Sequence, residues 1–289
     1  MLFTDNLAEM KQKFIWESPF TQMFCAALFA SRGKSIDAGE IIRARKLLLQ
    51  NSMYFASVRS TFAIAISAMI AAGSHESQIK QIQQTYRVLK RSVPDSIYIP
   101  FAACVLATSA DAFPGSAETE AQLIRLCDRT LFLHSRTSYT AKDLIAAAVN
   151  AVAAEQRGIP DGKVYSRYLT AKYLLTGIPE SETFLHHAAV SVCTGTDSVT
   201  EKCRSIRTLC EAHPEEAIPP CLFTLESEKI QQAYQRFLEN IPSAADYVLN
   251  AEDARACAVC MTLSEYGLAN PLFCLTEMMD SVTEECRAS

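Results

Sequence analysis

Two adjacent histidines, His186 and His187, open the segment LHHAAVSVC, and Cys193 follows two helical turns after His186. In a helix, His186 and Cys193 therefore share a face. Cys257 and Cys260, in ARACAVCM, share another. Imidazoles and thiolates converging from several helices could hold zinc through three protein ligands and one open position. These thiols, however, sit among small apolar residues, where a free cysteine serves as a compact core side chain. No metal and no other cofactor is therefore expected, with Cys193, Cys257 and Cys260 kept as the metal alternative. A second set of residues emerges when the Ala-rich segments are aligned. Arg59, Tyr98, Asp143 and Phe184 each stand one turn before the first aligned alanine. In an array of equivalent helices such positions lie along one edge. Arg59, Tyr98 and Asp143, together with His186 and His187, are the candidate binding surface. The plainer roles are a cap for Asp143, ring packing for Tyr98 and pairing with a neighbouring helix end for Arg59.

The elements that must position these residues are of two kinds. The first is apolar and rich in alanine: MFCAALFAS, FAIAISAMIAAG, PFAACVLATSA, LIAAAVNAVAA, LHHAAVSVC and ARACAVCM, with IPPCLFTL as a weaker version. Ala63, Ala102, Ala147 and Ala188 fall at equivalent places roughly forty residues apart, the length of a helical hairpin. The second kind is amphipathic. In IKQIQQTYRVLKRS, Ile79, Ile82, Tyr86 and Leu89 make one apolar stripe, and Lys80, Gln83, Arg87 and Lys90 face the other way. The same stripe recurs in IIRARKLLLQ, AQLIRLCDRTLFL, VYSRYLTAKYLL, KCRSIRTLC and KIQQAYQRFL. Alanine-rich helices suit an inner layer in which backbones approach closely, and amphipathic ones suit the outside. The basic runs Arg43–Lys46 and Arg87–Arg91 read as solvated faces of outer helices.

Capping spacings support this parsing: Asp37 with Glu40, Thr140 with Asp143, Ser198 with Glu201 and Ser243 with Asp246. Asn270-Pro271 reads as a helix start, and Gly73, Gly177 and Gly267 as helix ends. With no run of strand-like alternation, the chain is predicted to be all-α. It is read as about seven α-hairpin repeats of roughly 40 residues, forming either an open α/α superhelix (solenoid) or a closed α/α toroid. Residues 1–289 are expected to make one domain: an N-terminal helix over 1–17, repeats over 18–267 and a C-terminal helix over 268–289.

Composition narrows the function classes. The chain is 49% hydrophobic and 20% charged, a folded composition, and its formal net charge of -5 argues against a general nucleic-acid binder. Twelve uncharged residues in FAIAISAMIAAG are too few to span a bilayer, which needs about 20. The opening MLFTDNLAEMKQKFIW lacks the order of a signal peptide, and an odd count of 11 cysteines fits free thiols. A cytoplasmic protein with no membrane or nucleic-acid partner is expected. Gly-x-Gly-x-x-Gly, Walker, His-Glu-x-x-His and Gly-x-Ser-x-Gly patterns are all absent, so no catalytic residue is assigned.

The blocks KQKFIWESP, YFASVRSTFAIAISAMIAAG, IYIPFAACVLATSAD and VTEKCRSIRTLCEAHP resemble the bacterial DUF4003 family, a domain of unknown function. The resemblance runs from about Lys11 to about Gly267 and rests on Phe14 and Trp16, on Phe55, Ser57 and Arg59, on Tyr98, Ala102 and Ala103, and on Leu89 with Lys90. The segment Ile218–Leu225 departs from it. The resemblance implies a cytoplasmic, all-helical bacterial protein and no activity. Read together, these features point to a non-catalytic helical-repeat scaffold whose concave surface binds a protein or peptide. The alternative is an α/α-toroid enzyme or small-molecule binder with a polar central cavity. An open groove would favour the first, and an enclosed cavity with convergent polar groups the second.

Overall fold

The computed structural model describes residues 2–50, 63–73, 77–94, 96–110, 116–138, 140–214, 216–248 and 250–266. The described residues form helices and no strand. In chain order these are α1 (Leu2–Lys13), α2 (Pro19–Ser31), α3 (Ala38–Gln50), α4 (Ala63–Gly73), α5 (Ser77–Ser92), α6 (Ile99–Ala110) and α7 (Ser116–Thr137). They continue with α8 (Asp143–Gln156), α9 (Asp161–Leu175), α10 (Glu182–Val192), α11 (Val199–Ala212), a 3-10 helix (Pro220–Thr224), α12 (Ser227–Ala245) and α13 (Ala251–Glu265).

The two helix types occupy two layers. Ala-rich α2, α4, α6 and α8 pack on one another in turn, and each also packs on the amphipathic or N-terminal helix that precedes it. Their residues are accordingly buried on nearly every side: α4 buries Ala63 through Ile70 without a break, and α8 buries Asp143 through Ala151. Ala63, Ala102, Ala147 and Ala188 are all buried. The amphipathic helices bury a single stripe. In α5 it is Ile79, Ile82, Tyr86 and Leu89, while Lys80, Arg87, Lys90 and Arg91 are exposed. In α9 it is Val164, Tyr168, Ala171 and Leu175. Between α8 and α10 the link is polar: Asn150 Nδ2 donates to Val190 O at 3.3 Å, and Thr194 Oγ1 donates to Asn150 Oδ1 at 2.7 Å. Beyond α10 the inner position falls to the 3-10 helix, and α13 packs on both α12 and α2.

Several local expectations change. IPPCLFTL is a 3-10 turn, because Pro219 and Pro220 supply no amide protons to carry an α-helical ladder into it. Cys221, Leu222 and Phe223 are nonetheless fully buried there, with Phe223 set edge-on against Phe184. Ser243 and Asp246 end a helix instead of starting one, since α12 runs through Pro242 to Ala245. The following start is capped by Asn250, whose Oδ1 accepts from Asp253 N at 2.7 Å. Asp37 caps as expected, through Gly39 N and Glu40 N. Ser198 occupies its N-cap position without a side-chain cap bond, and Gly73 is the last residue of α4. Gly177 closes the turn after α9 at φ 88°, a conformation that only glycine adopts without strain. Phe55, Ser57, Arg59, Gly267, Asn270-Pro271 and the C-terminal helix proposed for 268–289 lie outside the described residues. All nine described cysteines are free and buried. Among the described residues, no helix is long and apolar enough to cross a membrane.

Candidate metal centre

Asp143 opens α8, and His186 and His187 lie in the first two turns of the neighbouring α10. Position along the chain separates Asp143 from His186 by 43 residues; the side-by-side placement of the two inner helices joins them. His186 Nε2 lies 3.5 Å from Asp143 Oδ1, and His187 Nε2 lies 3.9 Å from the same oxygen. One ligand atom from each of the three residues falls within a mutual separation of 4.8 Å, and this is the one such group of three or more metal-ligating side chains among the described residues. Asp143 and His186 are buried, and the His187 side chain is 11% exposed.

Each ligand is held from behind. Asp143 Oδ2 accepts from Thr140 N at 2.7 Å and from Thr140 Oγ1 at 3.2 Å, which fixes the carboxylate and leaves Oδ1 towards the histidines. The capping spacing therefore acts in the opposite sense to the usual N-cap: the carboxylate on the first residue of α8 takes the amide of Thr140, three residues before it. His186 Nδ1 is 3.2 Å from Tyr168 Oη on α9, with the two rings edge to face. A phenol can donate or accept, so Tyr168 supports either imidazole tautomer. When Nδ1 carries the proton, Nε2 presents its lone pair beside Asp143. Such backing groups orient and polarise metal-binding histidines. Burial alone would raise the Asp143 carboxyl. The adjoining His186, the amide of Thr140 and the nearby His187 outweigh it and hold the group below the ordinary carboxylate range.

The three side chains form one wall of a cavity of about 150 Å³, completed by Thr140, Lys142, Glu182 and Thr183. A second cavity of about 340 Å³ shares Thr140 with it and is lined by Ser96, His134, Ser138 and Leu144, among others. Burial lowers the pKa of His134, with the Asp143 charge acting in the other direction. A metal held by two imidazoles and one carboxylate keeps coordination positions open towards a pocket of this kind.

Of the residues singled out in the sequence, the structure thus gathers Asp143, His186 and His187. Tyr98, at the foot of α6, is buried and its amide donates to Ser96 Oγ; it lines neither of these two cavities. Cys193 Sγ donates to Val190 O, and Cys193, Cys257 and Cys260 belong to no such ligand group among the described residues. Tyr168 carried no signal beyond its place in the apolar stripe of α9. No curated protein and no solved structure matches the chain. Over residues 6–122, short of Asp143, the chain matches the model of the family described as Protein of unknown function (DUF4003), and this match supports its assignment to that family.

Proposed function

We propose that Asp143, His186 and His187 form a divalent-metal centre, and that the chain is a metal-dependent small-molecule protein of the enclosed α/α type. The observation that carries this reading is the convergence of three ligand atoms within 4.8 Å on a pocket wall, each on a residue built into an inner helix. A metal bound there would activate water or a substrate oxygen facing the cavity, with the adjoining larger cavity as space for the rest of the molecule. The packing of α13 on α2 supports closure of the inner layer into a ring of α-hairpins. Such a ring has no continuous concave groove, and this is why we place the small-molecule reading ahead of the peptide-binding scaffold. The proposal departs from the expectation of no metal, since the ligands it uses are histidine and carboxylate side chains and the cysteines take no part.

Titration of chelator-treated protein with Co(II), followed by its visible absorption, tests the centre directly. One equivalent should bind to the wild type and to a Cys257→Ser, Cys260→Ser double variant. His186→Ala and Asp143→Asn should each weaken binding by more than about a hundredfold, since loss of a backing group alone costs roughly ten- to a hundredfold. Failure of the wild type to bind one equivalent, or unchanged affinity in both variants, overturns the proposal. A lysate pull-down that recovers a stoichiometric protein partner from metal-free protein would restore the scaffold reading.

A further inference from the structure

At the far ends of α8 and α10 from the metal centre, three cations gather around the loop Thr194–Ser198. Arg157, the residue that ends α8, donates from Nη1 to Thr194 O. Arg167, on α9, donates from Nη2 to Asp197 O at 2.8 Å. Lys202, in the first turns of α11, reaches back beneath the loop, and its Nζ would lie 3.0 Å from a Cβ placed on Gly195. Lys202 is only 1% exposed. Among the described residues none of the three makes a salt bridge. Arg167 Nε is buried without a hydrogen-bond partner. Two acids, Asp197 and Glu226, attract Lys202 without forming an ion pair with it; Asp197 Oδ2 accepts from Ser227 N at 2.6 Å and from Ser227 Oγ at 2.9 Å, and Glu226 pairs with Lys229.

A buried cation without an ion-pair partner is costly to hold, and here three cations share the field of Asp197 and of a Glu226 already paired with Lys229. The carbonyl end of α10 offers about half a negative charge, enough to account for one of the three cations and not for all. Glycine at 195 lets the loop backbone lie directly on the ammonium. We propose that Arg157, Arg167 and Lys202 form a binding site for a phosphate dianion, either free or as the phosphomonoester of a small metabolite. Guanidinium forks suit its oxygens, and the lysine supplies a point charge below them. The site is independent of the metal centre: about fourteen residues of α8 separate Asp143 from Arg157, roughly 20 Å of helix.

Calorimetric titration of chelator-treated protein with inorganic phosphate, at constant ionic strength set by chloride, tests the site without involving metal. The wild type should bind one equivalent saturably. Lys202→Met, which removes a buried charge while keeping the side-chain length, should lose at least tenfold in affinity. Gly195→Ala, whose added methyl group meets the ammonium, should lose affinity in the same direction and covers the case of a poorly folding lysine variant. Parallel titrations with glycerol 3-phosphate and AMP identify the source: tighter binding of an ester marks a metabolite headgroup, and tighter binding of inorganic phosphate marks the free ion. No saturable binding of any of the three by the wild type, or equal affinity in both variants, overturns the proposal.

Discussion

Lys202 and Asp143 illustrate the two ways in which this fold holds an ionised side chain away from water. Asp143 takes the amide and hydroxyl of Thr140 and faces two imidazoles, and its ionised form is favoured despite burial. Lys202 has acids within electrostatic reach but no ion pair. Burial pushes its amine down to about 8, Asp197 and Glu226 pull it up, and Arg157 and Arg167 push it further down. The consequence for stability has a definite sign. Between about pH 8 and the unfolded value of 10.5, the unfolded chain keeps a proton that the folded chain has released, so folding becomes more favourable as pH rises. Below about pH 8 the penalty is present in full. Urea unfolding of the wild type and Lys202→Met, compared from pH 7.5 to 10, should therefore show the wild type gaining relative to the variant by up to roughly 3 kcal/mol. A constant difference across that range would mean that the lysine is not held in the disfavoured charged form. Added phosphate should flatten the trend by supplying the missing counter-charge. At this scale the sequence was legible in part. Aligning the first alanines of the inner helices brought out Asp143, and two adjacent histidines on an apolar helix stood out by composition. That all three meet depends on α8 lying beside α10, which no local spacing encodes. Lys202 was invisible, because in KCRSIRTLC it falls where a solvated polar face is expected and is in fact covered by the preceding loop.

Helices were the most legible level, because burial on one stripe and burial all round leave different residue patterns. The stripe Ile79, Ile82, Tyr86 and Leu89 is buried as its spacing requires, and the uncharged Ala63–Gly73 segment is covered by protein on nearly every side. What misled was punctuation. Ser243 and Asp246 have the residue types of a helix start, but α12 continues past Pro242 because its apolar face, Tyr234, Phe237 and Ala244, is still covered there. Capping spacing is a weak constraint against burial of that size. The close approach of inner helices makes a direct prediction. Ala102 and Ala147 sit on successive inner helices, buried at 0% and 3% exposure. Enlarging either to leucine should destabilise the protein by about 1 to 3 kcal/mol through overpacking. Replacing Lys80 with glutamine, on the exposed face of α5, should change stability by less than about 0.5 kcal/mol. Urea midpoints that fail to separate the alanine variants from the Lys80 variant would show that these alanines are not at close helix contacts.

For the molecule as a whole, the decisive contact is the one between α2 and α13, the first and last inner helices among the described residues. In an open stack of hairpins, stability is a sum of nearest-neighbour interfaces, and the terminal units open most readily because each has one neighbour fewer. α2 and α13 would be those terminal units. Instead they pack on each other, α1 also touches α13, and Phe24 and Phe29 of α2, like Cys257 and Ala258 of α13, are as deeply buried as the residues of α6 in mid-chain. The proposed closure removes both ends at once and couples them: any opening of α13 uncovers α2. It also fixes the relative positions of α8 and α10, because inner helices held on both flanks cannot slide, and the ligand atoms of Asp143, His186 and His187 depend on that register. Amide hydrogen exchange under native conditions separates the two architectures. Closure predicts that the amides in the centres of α2 and α13 exchange about as slowly as those of α6, and that Ala258→Leu, an overpacking change in α13, speeds exchange in α2 at least as much as in α6. An open array predicts exchange in α2 and α13 faster than in α6 by an order of magnitude or more, and an Ala258→Leu effect that stays within α13 and α12. The second pattern would remove the ring, and with it the reason for preferring an enclosed site to an open binding surface.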